Sequence, residues 1–160
     1  MRTIRGEGTG GGLRVAIVAA RFNEVVTSAL VDGAREALDS AGVADDDVTL
    51  VWVPGAFEVP MVARRVAEGG SVDAVICLGA VVRGETAHFD LVAHEAARGI
   101  ADVSGSTGVP CIFEILATDD LAQARSRAGG EHGNKGWEAA TSALEMVHVL
   151  RTLTDGVARR

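Results

Sequence analysis

Apolar residues along this chain fall into two kinds of segment that alternate. Short, largely apolar runs at Leu13–Ala20, Val48–Val53, Ala74–Ala80 and Val109–Ala117 predict strands, since a strand covered on both faces needs no polar side. Between them, apolar residues recur at three- and four-residue steps over Val25–Ala41, Glu58–Glu68, Phe89–Val103, Asp119–Ala128 and Trp137–Leu153, which predicts amphipathic helices. Punctuation agrees with this division. Asn23 is placed to cap the first helix and Gly42 to stop it, Pro54 ends the second strand, and Pro60 falls in the tolerant first turn of the second helix. Gly69-Gly70 precedes the third strand, and the glycine-rich stretch 129–136 interrupts the helical period before the last helix. The glycine-rich arm Met1–Gly12 has little to bury, so Thr3–Arg5 form at most a short edge strand that frays without a partner, and 154–160 read as a basic, frayed tail.

Strands alternating with helices at this spacing imply β-α repeats and a parallel sheet with helices on both faces. The expected fold class is α/β, a flavodoxin-like three-layer α/β/α sandwich around a four-stranded parallel sheet. No repeat or linker divides the chain, so residues 1–160 are read as a single domain.

Composition narrows the picture. With 48% hydrophobic residues but only 4% aromatic, the core must be built from Ala, Val, Leu and Ile, which lets helices pack closely on a sheet. A net charge of −7 and no block of Lys or Arg argue against nucleic-acid binding. Cys77 and Cys111 lie inside apolar runs and are expected to be buried, reduced thiols. Asp45-Asp46-Asp47, between a helix stop and a strand start, reads as a solvated turn rather than a cation site. No apolar run approaches the roughly 20 residues of a membrane span, and no charged-then-apolar leader is visible, so a cytoplasmic location is expected.

Candidate chemistry gathers in the loops that follow strands, because the carboxyl ends of parallel strands share one edge of the sheet. Arg21–Asn23 offers a stacking ring at Phe22, Gly55–Glu58 a carboxylate, and Ala80–His88 backbone donors at Glu85 and Thr86 beside an imidazole. This set suits a planar polar substrate and a phosphate. His88 is the best candidate for acid/base work, His94 and His148 fall within helices, and His132 lies in a glycine-rich loop. No Cys/His spacing matches a zinc site, and the run G-A-V-V-R-G-E-T is neither a dinucleotide fingerprint nor a P-loop.

Taken together in chain order, Arg21-Phe22-Asn23, the run from Val53 to Pro60 (V-P-G-A-F-E-V-P), Gly79–Asp90 with its R-G-E-T-A-H-F-D, Arg127-Ala128-Gly129 and Gly133-Asn134-Lys135-Gly136 resemble the lumazine synthase family. Its enzymes make 6,7-dimethyl-8-ribityllumazine, the last intermediate before riboflavin. The resemblance covers nearly the whole chain. It implies condensation of 5-amino-6-(D-ribitylamino)uracil with 3,4-dihydroxy-2-butanone 4-phosphate, releasing phosphate and water without a metal or redox cofactor. By the same resemblance, Phe22 stacks on the pyrimidine, backbone groups of Ala80, Val81 and Val82 read its edge, and Ala56, Phe57 and Glu58 hold the ribityl chain. Glu85 and Thr86 bind phosphate through backbone N–H groups, and His88 shuttles protons. Phe113, Arg127 and Lys135 come from the neighbouring subunit in the family, with Arg127 on the phosphate and Phe113 and Lys135 on the pyrimidine substrate. Pentamers are implied, with assembly of twelve into a shell, riboflavin synthase as a partner, and Thr3–Arg5 adding a strand to a neighbour's sheet. Glu114, following Phe113 where a small residue is expected, needs a partner or a subunit rim to stay charged.

Two other readings fit the fold. A phosphoacceptor receiver needs an acidic pair after the first strand and an aspartate after the third, where this chain has Arg21-Phe22-Asn23 and Gly79-Ala80-Val81. A shell-forming or flavin-binding relative without catalysis would have no need of His88 and Arg127.

Overall fold

A computed structural model describes residues 1–158. Four parallel strands, β1 (Val15–Ala20), β2 (Val48–Val53), β3 (Ala74–Val82) and β4 (Cys111–Thr118), form one sheet in the order β2-β1-β3-β4. The helices α1 (Glu24–Ser40), α2 (Val59–Glu68), α3 (His88–Thr107), α4 (Leu121–Ser126) and α5 (Lys135–Ala158) connect and flank it. This is the flavodoxin-like sandwich expected from the alternation.

The unbroken apolar character of β1 has a direct cause in its central position. Val15, Ile17 and Ala19 face Ile76, Leu78 and the apolar stripes of α1 and α5, while Val18 and Ala20 face Val75, Cys77 and residues of α2 and α3. No residue of β1 is more than 1% exposed, so a polar side chain has no solvated face to occupy. Burial pushes the Cys77 thiol far up, and the Cys111 thiol to about 11. Both are free and buried, as their apolar context suggests.

α1 ends where Gly42 was expected to stop it. Gly42 adopts a left-handed φ of 87°, its N–H donates to the Asp39 carbonyl, and the next N–H, of Val43, donates to Leu38 at 3.0 Å. These paired bonds satisfy the last carbonyls of the helix, and the buried Val43 closes its apolar end. Asp45–Asp47 form a single 3-10 turn before β2, with none of the three buried.

Several expected boundaries move. α4 stops at Ser126 instead of continuing to Ala128, because Asp120 caps its start by accepting from the Gln123 N–H at 2.8 Å and the chain then turns into a small antiparallel hairpin. Its strands, β5 (Ala128–Gly130) and β6 (Gly133–Asn134), are too short to show a period, and Gly129 and Gly133 have φ of 98° and 73°. The last helix is longer than its apolar stripe at both ends, so the supposed frayed tail is helical through Ala158, while Arg159 and Arg160 lie outside the described residues. Thr3–Arg5 form no strand in this chain. Instead the arm runs back along α5: Gly6 abuts the backbone of Glu145, and the Thr9 carbonyl lies 2.8 Å from His148 Nε2.

Candidate functional site

The sheet order creates a switch point, because the chain leaves β1 towards β2 on one side and β3 lies on the other. A cleft of about 770 Å³ opens at the carboxyl ends of these three strands. That volume is within the range for small-molecule sites. It is lined by Phe22 from the β1 exit, Pro54–Glu58 from the β2 exit, Ala80–Val82, Gly84, Thr86 and His88 from the β3 exit, and Phe89, Leu91 and Val92 from α3.

Backbone bonds fix the three exits relative to one another. The β1–β2 pairing continues beyond the strands, with Arg21 N–H donating to Val53 at 2.8 Å and Phe22 N–H to Pro54 at 3.1 Å. Phe22 is thereby held beside the Pro54–Glu58 loop. Asn23, expected to cap α1 with its side chain, does something else: it adopts a left-handed φ of 61° and its Nδ2 donates to the Ala80 carbonyl at 2.9 Å. Asparagine tolerates that conformation better than most residues. The side chain that would have capped the helix ties the β1 exit to the β3 exit.

Two kinds of chemistry line the cleft, contributed by different strand exits. At the β1 and β2 exits Phe22 and Phe57 are 71% and 58% exposed, leaving two rings uncovered, with the Glu58 carboxyl on the same β2 exit. Rings left open in a concave site provide stacking surface for a planar ligand. At the β3 exit, the N–H groups of Gly84, Glu85 and Thr86 have no protein acceptor among the described residues, and the His88 N–H donates to the Thr86 hydroxyl at 3.4 Å. These donors precede the 20-residue α3, whose N-terminal dipole end favours an anion at the same place. His88 is not on a free loop: it is the first residue of α3, exposed and lining the cleft. Glu85 does not line the cleft with the others.

Three more of the residues singled out by resemblance, besides Glu85, lie outside this cleft. Phe113 sits in the middle of edge strand β4, in register with Cys77, and is 43% exposed. Arg127 and Lys135 flank the β5–β6 hairpin, which brings them together through a bond of 2.8 Å from the Lys135 N–H to the Arg127 carbonyl. The Arg127 guanidinium donates to the Gln123 carbonyl at 3.0 Å, and the Lys135 ammonium to Glu138 at 2.6 Å, the contact that chiefly raises the lysine pKa. Glu114 is half-buried with no hydrogen-bond donor of its own; burial pushes its carboxyl up to about 7, against the pull of Lys135 and with the push of Glu138.

Sequence reasoning missed Asn134 as a structural hinge of this second group. Its Oδ1 accepts from the Gly136 N–H and its Nδ2 donates to the Ala29 carbonyl of α1, both at 2.8 Å. The side chain thus caps α5 and docks it on α1 at once. The motif G-N-K-G carried that signal, since asparagine after a turn glycine and before a helix is a cap candidate.

Among the described residues, no helix is long and apolar enough to cross a membrane. Residues 12–151 match the family model described as 6,7-dimethyl-8-ribityllumazine synthase, a match that takes in the strands, the cleft, the hairpin and most of α5. With nearly the whole chain matched and the cleft at the switch point of its sheet, this chain belongs to the 6,7-dimethyl-8-ribityllumazine synthase family.

Proposed function

We propose that the chain is a cytoplasmic transferase that condenses 5-amino-6-(D-ribitylamino)uracil with 3,4-dihydroxy-2-butanone 4-phosphate to form 6,7-dimethyl-8-ribityllumazine. The observation that carries this reading is the lining of the cleft, with open aromatic rings and a carboxylate from the β1 and β2 exits and, among the described residues, unpartnered N–H groups beside an imidazole from the β3 exit. Phe22 stacks on the pyrimidine, whose edge meets the backbone of Ala80, Val81 and Val82. Ala56, Phe57 and Glu58 take the ribityl hydroxyls, and the N–H groups of Glu85 and Thr86 take the phosphate. His88, one helical step from those donors, transfers protons as the amine adds to the carbonyl and as phosphate leaves.

Phe113, Arg127 and Lys135 then serve a neighbouring copy's cleft. The guanidinium of Arg127 supplies the charge-assisted partner for phosphate that the backbone donors lack. Both reactants are intrinsically reactive, so holding amine and carbonyl together accounts for most of the rate. The assembly is a ring of five copies, with closure of twelve rings into a shell as the larger form; Thr3–Arg5 leave α5 and add a strand to a neighbour's sheet. Riboflavin synthase, which consumes the product, is the matching partner.

An absorbance assay with the two purified substrates tests this. Wild type is expected to form the lumazine, and His88→Ala to slow turnover by about 10–100-fold, the range of a single acid/base group. No product from wild type would leave the chain as a binding or shell-forming relative.

A further inference from the structure

Arg83 belongs to the R-G-E-T-A-H run but does not line the cleft. Its side chain instead makes three contacts, two with α3 and one just beyond β4. The guanidinium carbon lies 4.2 Å from the centroid of the Phe89 ring in α3. Nε donates to Asp119 Oδ1 at 3.0 Å, just beyond β4, and Nη1 lies 3.6 Å from Asp90 Oδ1 in the first turn of α3. Its own N–H donates to the Thr118 carbonyl at 2.8 Å.

We propose that Arg83 is a positioning residue, a clamp that fixes both ends of the segment 84–88 carrying the anion donors and His88. This rests on the functional reading above. The clamp holds because Arg83 begins the segment and its cation reaches Phe89 and Asp90, which end it. Phe89 is 8% exposed and also lines the cleft, so the stack ties the guanidinium to a residue of the cleft wall. Gly84 gives the segment little stiffness of its own, and among the described residues no protein acceptor restrains the N–H groups of 84–86. Isolated ion pairs this exposed contribute little, but a planar cation stacked on a ring and shared by two carboxylates gathers several small terms in one place. The two carboxylates also occupy the guanidinium, leaving phosphate to the backbone donors.

The test combines amide exchange with kinetics. In Arg83→Ala, exchange at the Asp90 and Leu91 amides is expected to accelerate about tenfold, the combined size of one cation–π contact and one exposed ion pair, while Ile76 and Leu78 in β3 are unaffected. KM for the butanone phosphate rises by a similar factor, and KM for the ribitylaminouracil changes by less than about twofold. Arg83→Lys keeps an ion pair without the planar stack and falls between. Asp90→Asn/Asp119→Asn, which leaves the arginine in place but unanchored, reproduces the KM rise. Unchanged exchange in Arg83→Ala overturns the clamp, and so does a lower KM in the double variant, because a freed guanidinium would then be binding phosphate directly. If wild type forms no lumazine, the functional reading fails alone, and exchange still decides the clamp.

Discussion

Glu114 is a carboxyl placed where a strand offers it little water. It points to the α1 and α5 side of β4, in register with the buried Leu78, and the nearest ammonium, on Lys135, is already held by Glu138. Desolvation therefore dominates and its carboxyl titrates near 7 instead of the ordinary 4.5. Between these values the folded chain holds more protons than the unfolded one, so the contribution of Glu114 to stability is fully present below about 4.5 and is lost as pH rises through about 7. Glu114→Gln is accordingly expected to match wild type in urea midpoint near pH 4.5 and to exceed it near pH 8. An equal difference at both values would show that burial does not govern this carboxyl.

At the level of elements, the α1–α5 contact fixes where Arg127 and Lys135 stand. Gly136 lies so close to α1 that an added Cβ would meet the Leu30 carbonyl, and Gly33 faces the Asn134 side chain in the same way. Neither neighbour can yield easily, since one is backbone and the other is held by two hydrogen bonds. Gly136→Ala is expected to destabilise the fold by about 1–3 kcal/mol, the cost of overpacking, read as a lower midpoint in urea at unchanged slope. A midpoint equal to wild type would mean that the two helices part without cost. Strands and long helices were legible because their apolar periods extend over many residues. The β5–β6 hairpin was not, because three residues and two carry no period, and α4 was overextended because Arg127 and Ala128 suit a helix locally while the turn at Gly129 claims them.

For the whole molecule, the two edges of the sheet are left apolar. Leu50 and Trp52 are each 37% exposed at the β2 edge, while Phe113 at the β4 edge and Trp137 at the start of α5 are open at the other. Unpaired edges with aromatic cover favour association, and a head-to-tail contact between unlike edges builds a ring where its rotation closes and a filament where it does not. Under the proposed function such a contact places Phe113, Arg127 and Lys135 at the next copy's cleft. Mixing two damaged chains tests it. Arg127→Ala is expected to raise KM for the butanone phosphate by about 10–100-fold, and Thr86→Glu, which sets a like charge at the anion donors, to abolish activity. Random co-assembly at equal amounts then restores about a quarter of the sites to full complement, because each site draws one half from each of two copies. Activity no greater than the mean of the two parents would place each site within one chain.

The order of strands and helices, the all-parallel sheet and the candidate list at the strand exits follow from the sequence itself, because apolar periodicity and glycine or proline punctuation are local properties. Which candidates meet is decided only by folding. Phe22, Glu58 and His88 converge because β1 lies between β2 and β3, an order no local pattern specifies. Asn23 reads as a helix cap from its neighbours and becomes a tie to Ala80 because a residue 57 positions away presents a free carbonyl. Arg83 reads as part of an anion loop, and Asp119, 36 positions away, joins Phe89 and Asp90 in holding its side chain. Contacts between residues distant in sequence have no signature in either stretch alone, and at each of these places they override the local preference.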